Sequence, residues 1–288
     1  MWKTVKKIIS GVLATVSAFG CGAMLAGCES DHPEAQMVIS FNDKTYTLEY
    51  ELSRNVTPAT VNHFIWLVDN GYYNGLCVHD YDEDSRMYTG GYKAATDETD
   101  ADGLTEFAYY TEIAKFGNYS AFPHSVWLDS GKSLPTYTLY GEFENNNVQV
   151  QNGKIYDKFG SLSMYYHDLD SYEEAKTDVW GARESGSKLY KRTYETNSAT
   201  SLFYINLDED SNTYSKSYCT FASLKSGSVS VLKNLIQAIE DYAEEDFTEE
   251  HTVRVNADDQ VLGEHEVNVK FDVPTKEIKI QSLKMIKY

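Results

Sequence analysis

Few residues of this chain have both the type and the spacing that chemistry needs. Glu98, Asp100 and Asp102, followed by Gly103 and Glu106, resemble the first half of a calcium-binding loop. The twelfth position is Tyr109 rather than the glutamate that closes such a loop. The segment therefore reads as a solvated acidic turn, and neither a metal nor a cofactor is expected. Cys77 and Cys219 sit in apolar, strand-like surroundings and there is no C-x-x-C pair. A disulfide between them and two buried thiols both remain open. Serine, histidine and aspartate are all present, but no G-x-S-x-G elbow places a nucleophile. No glycine-rich phosphate loop or dinucleotide fingerprint occurs either.

Composition narrows the partners. The chain has 288 residues, with 44 Asp and Glu against 25 Lys and Arg, a formal charge of −19. Such a field repels a phosphate backbone, so nucleic acid is excluded as a partner. Hydrophobic residues at 42% and charged residues at 24% are ordinary for a folded globular chain. The 23 tyrosines suit a surface that holds peptide or sugar.

The first residues read as an address. Lys3, Lys6 and Lys7 precede an apolar stretch over residues 8–26, which closes on Leu25-Ala26-Gly27-Cys28. A positive end, an apolar core and a small-residue site in that order make a secretory signal, and the last four residues resemble a bacterial lipobox. Residues 1–27 are expected to be a signal peptide, Cys28 the lipidated residue, and residues 28–36 a tether. That puts the body outside the cytoplasm, lipid-anchored to a bacterial membrane. Losing residues 1–27 removes three lysines and no acid, so the remaining chain is more acidic still.

These residues need elements to position them. Residues 37–41 and 45–52 alternate apolar and polar around Asn42-Asp43, which predicts a β-hairpin. Thr57-Pro58 opens a helix as N-cap and first helical residue, with Val61, Phe64, Ile65 and Val68 on one face. Asn70-Gly71 ends it. Strands are expected over residues 72–78, 139–143, 161–166, 201–207, 217–224, 261–273 and 277–286. A second helix is expected over residues 229–242, with Leu232, Leu235, Ile236 and Ile239 inward. Polar stretches over residues 93–137 and 168–196 read as long surface insertions.

In order along the chain, several pieces resemble the cyclophilin-type peptidyl-prolyl isomerases. They are Thr57-Pro58-Ala59-Thr60-Val61-Asn62-His63-Phe64, Gly71-Tyr72-Tyr73-Asn74-Gly75-Leu76 with His79, and Met87-Tyr88-Thr89-Gly90-Gly91. Gly141-Glu142-Phe143, Gly160-Ser161-Leu162-Ser163-Met164 and Asn197-Ser198-Ala199-Thr200-Ser201-Leu202-Phe203-Tyr204-Ile205 follow. The resemblance implies a mainly β domain over residues 37–288, a closed eight-stranded antiparallel barrel capped by two helices and carrying the two insertions. It also implies rotation of X-Pro bonds in proline-containing peptides or unfolded exported proteins, across a barrier of about 18–20 kcal/mol. The reaction needs an apolar proline pocket and a fixed donor that favours the twisted amide, an arginine in this family.

The resemblance breaks at the catalytic end. The family's F-H-R reads Val78-His79-Asp80, so the arginine position holds an acid. Residues 81–86 are one residue longer than the family's stretch. The glutamine before Gly-Gly is Thr89, and the glutamine of S-Q-F-F-I is Leu202. The tryptophan-leucine pair of the next loop falls on Thr213 and Tyr214, and the following histidine on Tyr218. Met87, Phe203 and Tyr204 keep bulk where a proline ring would sit, as a ligand pocket or as plain core. Tyr165, Tyr166 and His167 replace small residues and are expected to narrow the groove. Arg86 is the candidate catalytic donor in place of the missing arginine, with a surface charge paired to Asp82 or Asp84 as the alternative. His79 reads as a packed structural histidine. Substrate-binding candidates are thus Met87, Thr89, Leu202, Phe203, Tyr204, Tyr214 and Tyr218. The function expected is a weak isomerase. A non-catalytic module binding peptide or glycan through its tyrosines is the alternative.

Overall fold

A computed structural model describes residues 30–95, 104–106, 125–136, 138–146, 153–166, 178–182, 188–193, 199–243, 247–256 and 266–288. The chain begins with a hairpin, β1 (Glu34–Phe41) and β2 (Lys44–Leu52). Asn42 and Asp43 take φ of 46° and 60° at its tip, the left-handed geometry that a tight two-residue hairpin turn requires. Every second residue faces the core, including Met37, Ile39, Leu48 and Tyr50.

Helix α1 (Pro58–Asp69) follows. Its N-terminus differs from the sequence reading. The Thr57 hydroxyl donates back to the Ser53 carbonyl at 3.3 Å instead of capping. The cap comes from Glu142, whose carboxylate accepts the Ala59 N–H at 3.2 Å and the Thr60 N–H at 2.8 Å. A carboxylate satisfies two orphan donors and also suits the positive helix end better than a hydroxyl does. The C-terminus is as expected: Gly71 has φ +70°, its N–H reaches the Val68 carbonyl, and the Tyr72 N–H reaches Leu67. That is the paired closure of a Schellman motif.

The remaining strands of the main sheet are β3 (Asp80–Asp82), β4 (Arg86–Thr89), β5 (Leu162–Met164), β6 (Phe203–Asn206), β7 (Thr220–Leu224) and β8 (Lys279–Lys287). Their order is β8-β1-β2-β7-β5-β6-β4-β3, antiparallel throughout. Eight strands are present, but the expected closed barrel is corrected to an open half-barrel. The edge strands β8 and β3 do not pair with each other. One isolated bridge, Cys77 to Lys279, links the segment ahead of β3 to β8, supported by Val78 N–H to Ile278 and Ile280 N–H to Leu76. These contacts all fall ahead of Asp80, so β3 itself does not join β8.

Helix α2 (Ser226–Tyr242) starts earlier than its hydrophobic period indicates, because the Ser228 hydroxyl accepts the Glu49 N–H at 2.8 Å and draws the first turn onto β2. Leu232, Leu235 and Ile239 are buried on its inner face, and Ile236 packs at the margin. Phe64 of α1 lies 4.9 Å from Phe221 and 6.0 Å from Phe203, ring centroid to ring centroid, and so joins helix to sheet. Burying one such side chain contributes about 2–3 kcal/mol.

Two expected strands form irregular backbone. Residues 72–78 run through turns that bury Tyr72 and Tyr73, and their phenols bond Ser201. Residues 139–143 are held by single contacts such as Leu139 N–H to the Ala199 carbonyl. A hairpin, Thr248–Asn256 with Glu266–Pro274, extends beyond the sheet; its first strand was absent from the sequence reading, and residues 261–265 lie outside the described residues. It forms a second core, in which Phe271, Val253 and Val273 pack with Cys77, Tyr92 and Leu202.

The described parts of residues 93–137 and 168–196 meet in a small sheet of Val126–Trp127, Asp178–Ala182 and Leu189–Thr193. Gly181 is required there: a Cβ would lie 2.1 Å from the Tyr140 ring. Apart from residues 104–106, the acidic segment at residues 98–109 lies outside the described residues, as do residues 1–29 with Cys28, and His167. Among the described residues no helix is long and apolar enough to cross a membrane, and no cluster of three metal-ligating side chains occurs. Cys77 and Cys219 are free and buried, so the open alternative resolves to two thiols.

Candidate functional site

The site is set by the register of three strands. Strand β6 pairs Tyr204 with Tyr88, Ile205 with Met87 and Asn206 with Arg86 of β4. Strand β3 pairs Asp80 with Tyr88 and Asp82 with Arg86. Alternation along each strand then sends Arg86, Tyr88, Tyr204 and Asn206 to the outer face, and Met87, Phe203 and Ile205 inward.

On the outer face the Arg86 guanidinium lies 4.4 Å from the centroid of the Tyr204 ring. Its Nη1 donates to the Tyr88 hydroxyl at 3.3 Å. Its pKa is raised. Burial opposes that, but the Tyr88 hydrogen bond and the fields of Tyr204 and Asp157 outweigh it. Arg86 therefore stays charged at any working pH. The Tyr204 hydroxyl donates to Asp157 Oδ2 at 2.7 Å, and the Ser161 hydroxyl donates to Asp157 Oδ1 at 2.6 Å. Burial first, and Asp157 second, hold Tyr204 well above the usual phenol range, so it remains a donor.

A cavity of about 350 Å³ opens over this group, lined by Arg86, Asp157, Tyr204, Asp208, Ser215 and Tyr218 among others. Arg86 is the one cation among its lining residues. Tyr166 stacks on Tyr218 at 5.3 Å, and Tyr165 lies 4.8 Å from Tyr88. The two tyrosines thus build a wall beside the cavity. The lining is hydroxyl-rich and carries two carboxylates, unlike the apolar pocket that grips a proline ring.

Three sequence candidates come together here: Arg86, Tyr204 and Tyr218. The others do not line the cavity. Met87 and Phe203 have no exposed surface and belong to the main core. Thr89 is buried and donates to the Cys77 carbonyl at 2.8 Å. Leu202 belongs to the second core. Tyr214 lies to one side, with the Lys154 ammonium 4.2 Å from its ring centroid. Asp157 and Asp208 were missed. The available signal was Tyr204 itself, since a tyrosine in a buried position needs an acceptor for its hydroxyl.

Asp80 has a different task from the arginine it replaces. Its Oδ1 accepts the Asp272 N–H at 3.0 Å and anchors the Thr248–Pro274 hairpin to the edge of β3. Burial, helped by the charges of Asp272 and Asp82, pushes its carboxyl up to about 6 against the pull of that N–H. His79 is fully buried, 4.5 Å from Tyr92 and 5.0 Å from Phe271 by ring centroids, in keeping with a packing role.

Residues 37–259 match the family described as cyclophilin type peptidyl-prolyl cis-trans isomerase/CLD. The chain belongs to that family. Among solved structures, it is similar to a cyclophilin type peptidyl-prolyl cis-trans isomerase of Cryptosporidium parvum, with 14% identity and a TM-score of 0.43, covering 89% of this chain and 99% of that one. The same Cryptosporidium parvum enzyme in the presence of the dipeptide Ala-Pro gives 14% identity and a TM-score of 0.42, covering 88% and 99%. No curated protein matches the chain.

Proposed function

We propose that this chain is a slow prolyl isomerase acting on exported proteins, with Arg86 supplying the donor that its family takes from the position now held by Asp80. The observation that carries this is the placement of Arg86: a permanent cation at a cavity, held over the aromatic ring of the S-x-F-Y-I strand. A guanidinium there can donate to a peptide amide as it twists and loses conjugation, and such a preorganised donor typically contributes about 3–4 kcal/mol to the transition state. Slowness follows from the lining, because hydroxyls and two carboxylates stand where an apolar surface would grip a proline ring.

The lipobox-like Leu25-Ala26-Gly27-Cys28 supports a place outside the cytoplasm with lipid on Cys28. Fatty-acid labelling of wild type but not of Cys28→Ala tests that point. For the reaction, isomerisation of a proline peptide is followed by NMR exchange. Wild type is expected above the buffer rate, and Arg86→Ala at least about 100-fold slower. A wild-type rate equal to buffer removes the reading. The polar lining favours a second reading, a module that binds peptide without turning it over. Line broadening of the same peptide by wild type without exchange would establish that one.

A further inference from the structure

We propose that Asp157 is a positioning residue for Arg86, acting through the phenol of Tyr204. This deepens the reading in which Arg86 is the donor. Two contacts run in series from a buried acid. Asp157 is buried with 5% exposure, its Oδ2 accepts the Tyr204 hydroxyl at 2.7 Å, and the Tyr204 ring carries the Arg86 guanidinium at 4.4 Å. A phenylalanine in place of Tyr204 would give Arg86 a ring but no tether, and a ring without a tether can tilt. The carboxylate fixes the hydroxyl end of that ring and sets a negative charge beside it. Both effects hold a guanidinium over the ring. The arrangement also accounts for the tyrosine itself: an unpartnered hydroxyl so deeply buried would be costly.

A purely structural role for Asp157 makes a different prediction. Its Oδ1 accepts the Ser161 hydroxyl, and Ser161 also accepts the Lys158 N–H at 3.1 Å. Asp157 could therefore matter only by shaping the turn ahead of β5. Ser161→Ala breaks that route and spares the Tyr204 bond, whereas Tyr204→Phe does the reverse.

The readout is the Arg86 Nε–H resonance in the ¹⁵N-labelled full chain, assigned by its loss in Arg86→Ala. Stacking on Tyr204 displaces it from the position of a free arginine. Asp157→Asn and Tyr204→Phe are both expected to return it toward that position, and the double variant no further than either alone. Ser161→Ala is expected to leave it displaced. Where isomerisation is measurable, Asp157→Asn and Tyr204→Phe should each lower kcat/KM about fivefold, the factor of one net hydrogen bond. An Arg86 resonance unmoved by Tyr204→Phe, or moved as far by Ser161→Ala, overturns the proposal. The resonance is read without peptide, so a chain that proves inactive sinks the proposed function and not this inference.

Discussion

Replacing Asp80 by asparagine should stabilise the protein at neutral pH, although it alters a residue that makes a structural hydrogen bond. The carboxyl is pushed from 3.8 to about 6, chiefly by burial, with Asp272 and Asp82 adding repulsion. A raised carboxyl pKa means that the folded chain holds its proton more firmly than the unfolded chain does. The contribution of this group to stability is therefore most favourable below about pH 4, falls as pH rises from about 4 to 6, and stays reduced above that. The full difference corresponds to about 3 kcal/mol, which partial solvent contact screens to about 1–2 kcal/mol. Asparagine keeps an oxygen for the Asp272 N–H, now 3.0 Å from the carboxylate, and never carries the charge. Urea unfolding of wild type and Asp80→Asn at pH 7.5 and at pH 4 reads the effect. The variant is expected to be more stable by about 1–2 kcal/mol at the higher pH and nearly equal at the lower. A variant less stable at pH 7.5, or one with the same gain at both, refutes the linkage.

Two further perturbations test how the frame holds the site. Glu142→Ala strips the N-terminus of α1 of the acceptor for the Ala59 and Thr60 N–H groups. A loss of about 3 kcal/mol is expected in urea unfolding, from the unpaired donors and the lost charge at the helix end, and a loss below about 0.5 kcal/mol would remove Glu142 as the cap. Gly90→Ala sets a Cβ 2.4 Å from the Ser201 carbonyl oxygen at φ +98°. About 3 kcal/mol should be lost in the same assay, and an unchanged midpoint would show that β4 and the Ser201 loop do not meet so closely.

What the sequence made legible was local. Asn42-Asp43 marks a hairpin turn because these residues tolerate the left-handed region, and Asn70-Gly71 ends α1 for the same reason. Six of the eight main-sheet strands and both helices followed from pattern and from family motifs; β3 and β4, of three and four residues, are too short to show a period. Residues 72–78 and 139–143 misled because short apolar and aromatic runs look alike whether they lie in a ladder or in buried coil. Tyr72 and Tyr73 could be buried off the sheet only because Ser201 supplies partners for their phenols. Glu142 was recognised as part of a motif, yet its work as the α1 cap depends on a contact across 82 residues of chain.

The site shows the same division more sharply. A motif names positions, but register decides which face each one takes, and in a strand that choice alternates with every residue. Pairing Tyr204 with Tyr88 sends Met87 and Phe203 to the core and lifts Arg86 to the surface. Once Arg86 stands over Tyr204, the acid at position 80 is no longer a defect to be compensated in place. It faces the hairpin, where a carboxylate can accept a backbone N–H and an arginine could not. The edge strand lends an acceptor to the hairpin, while Arg86, the first residue after the turn, stands on the strand that borders the cavity.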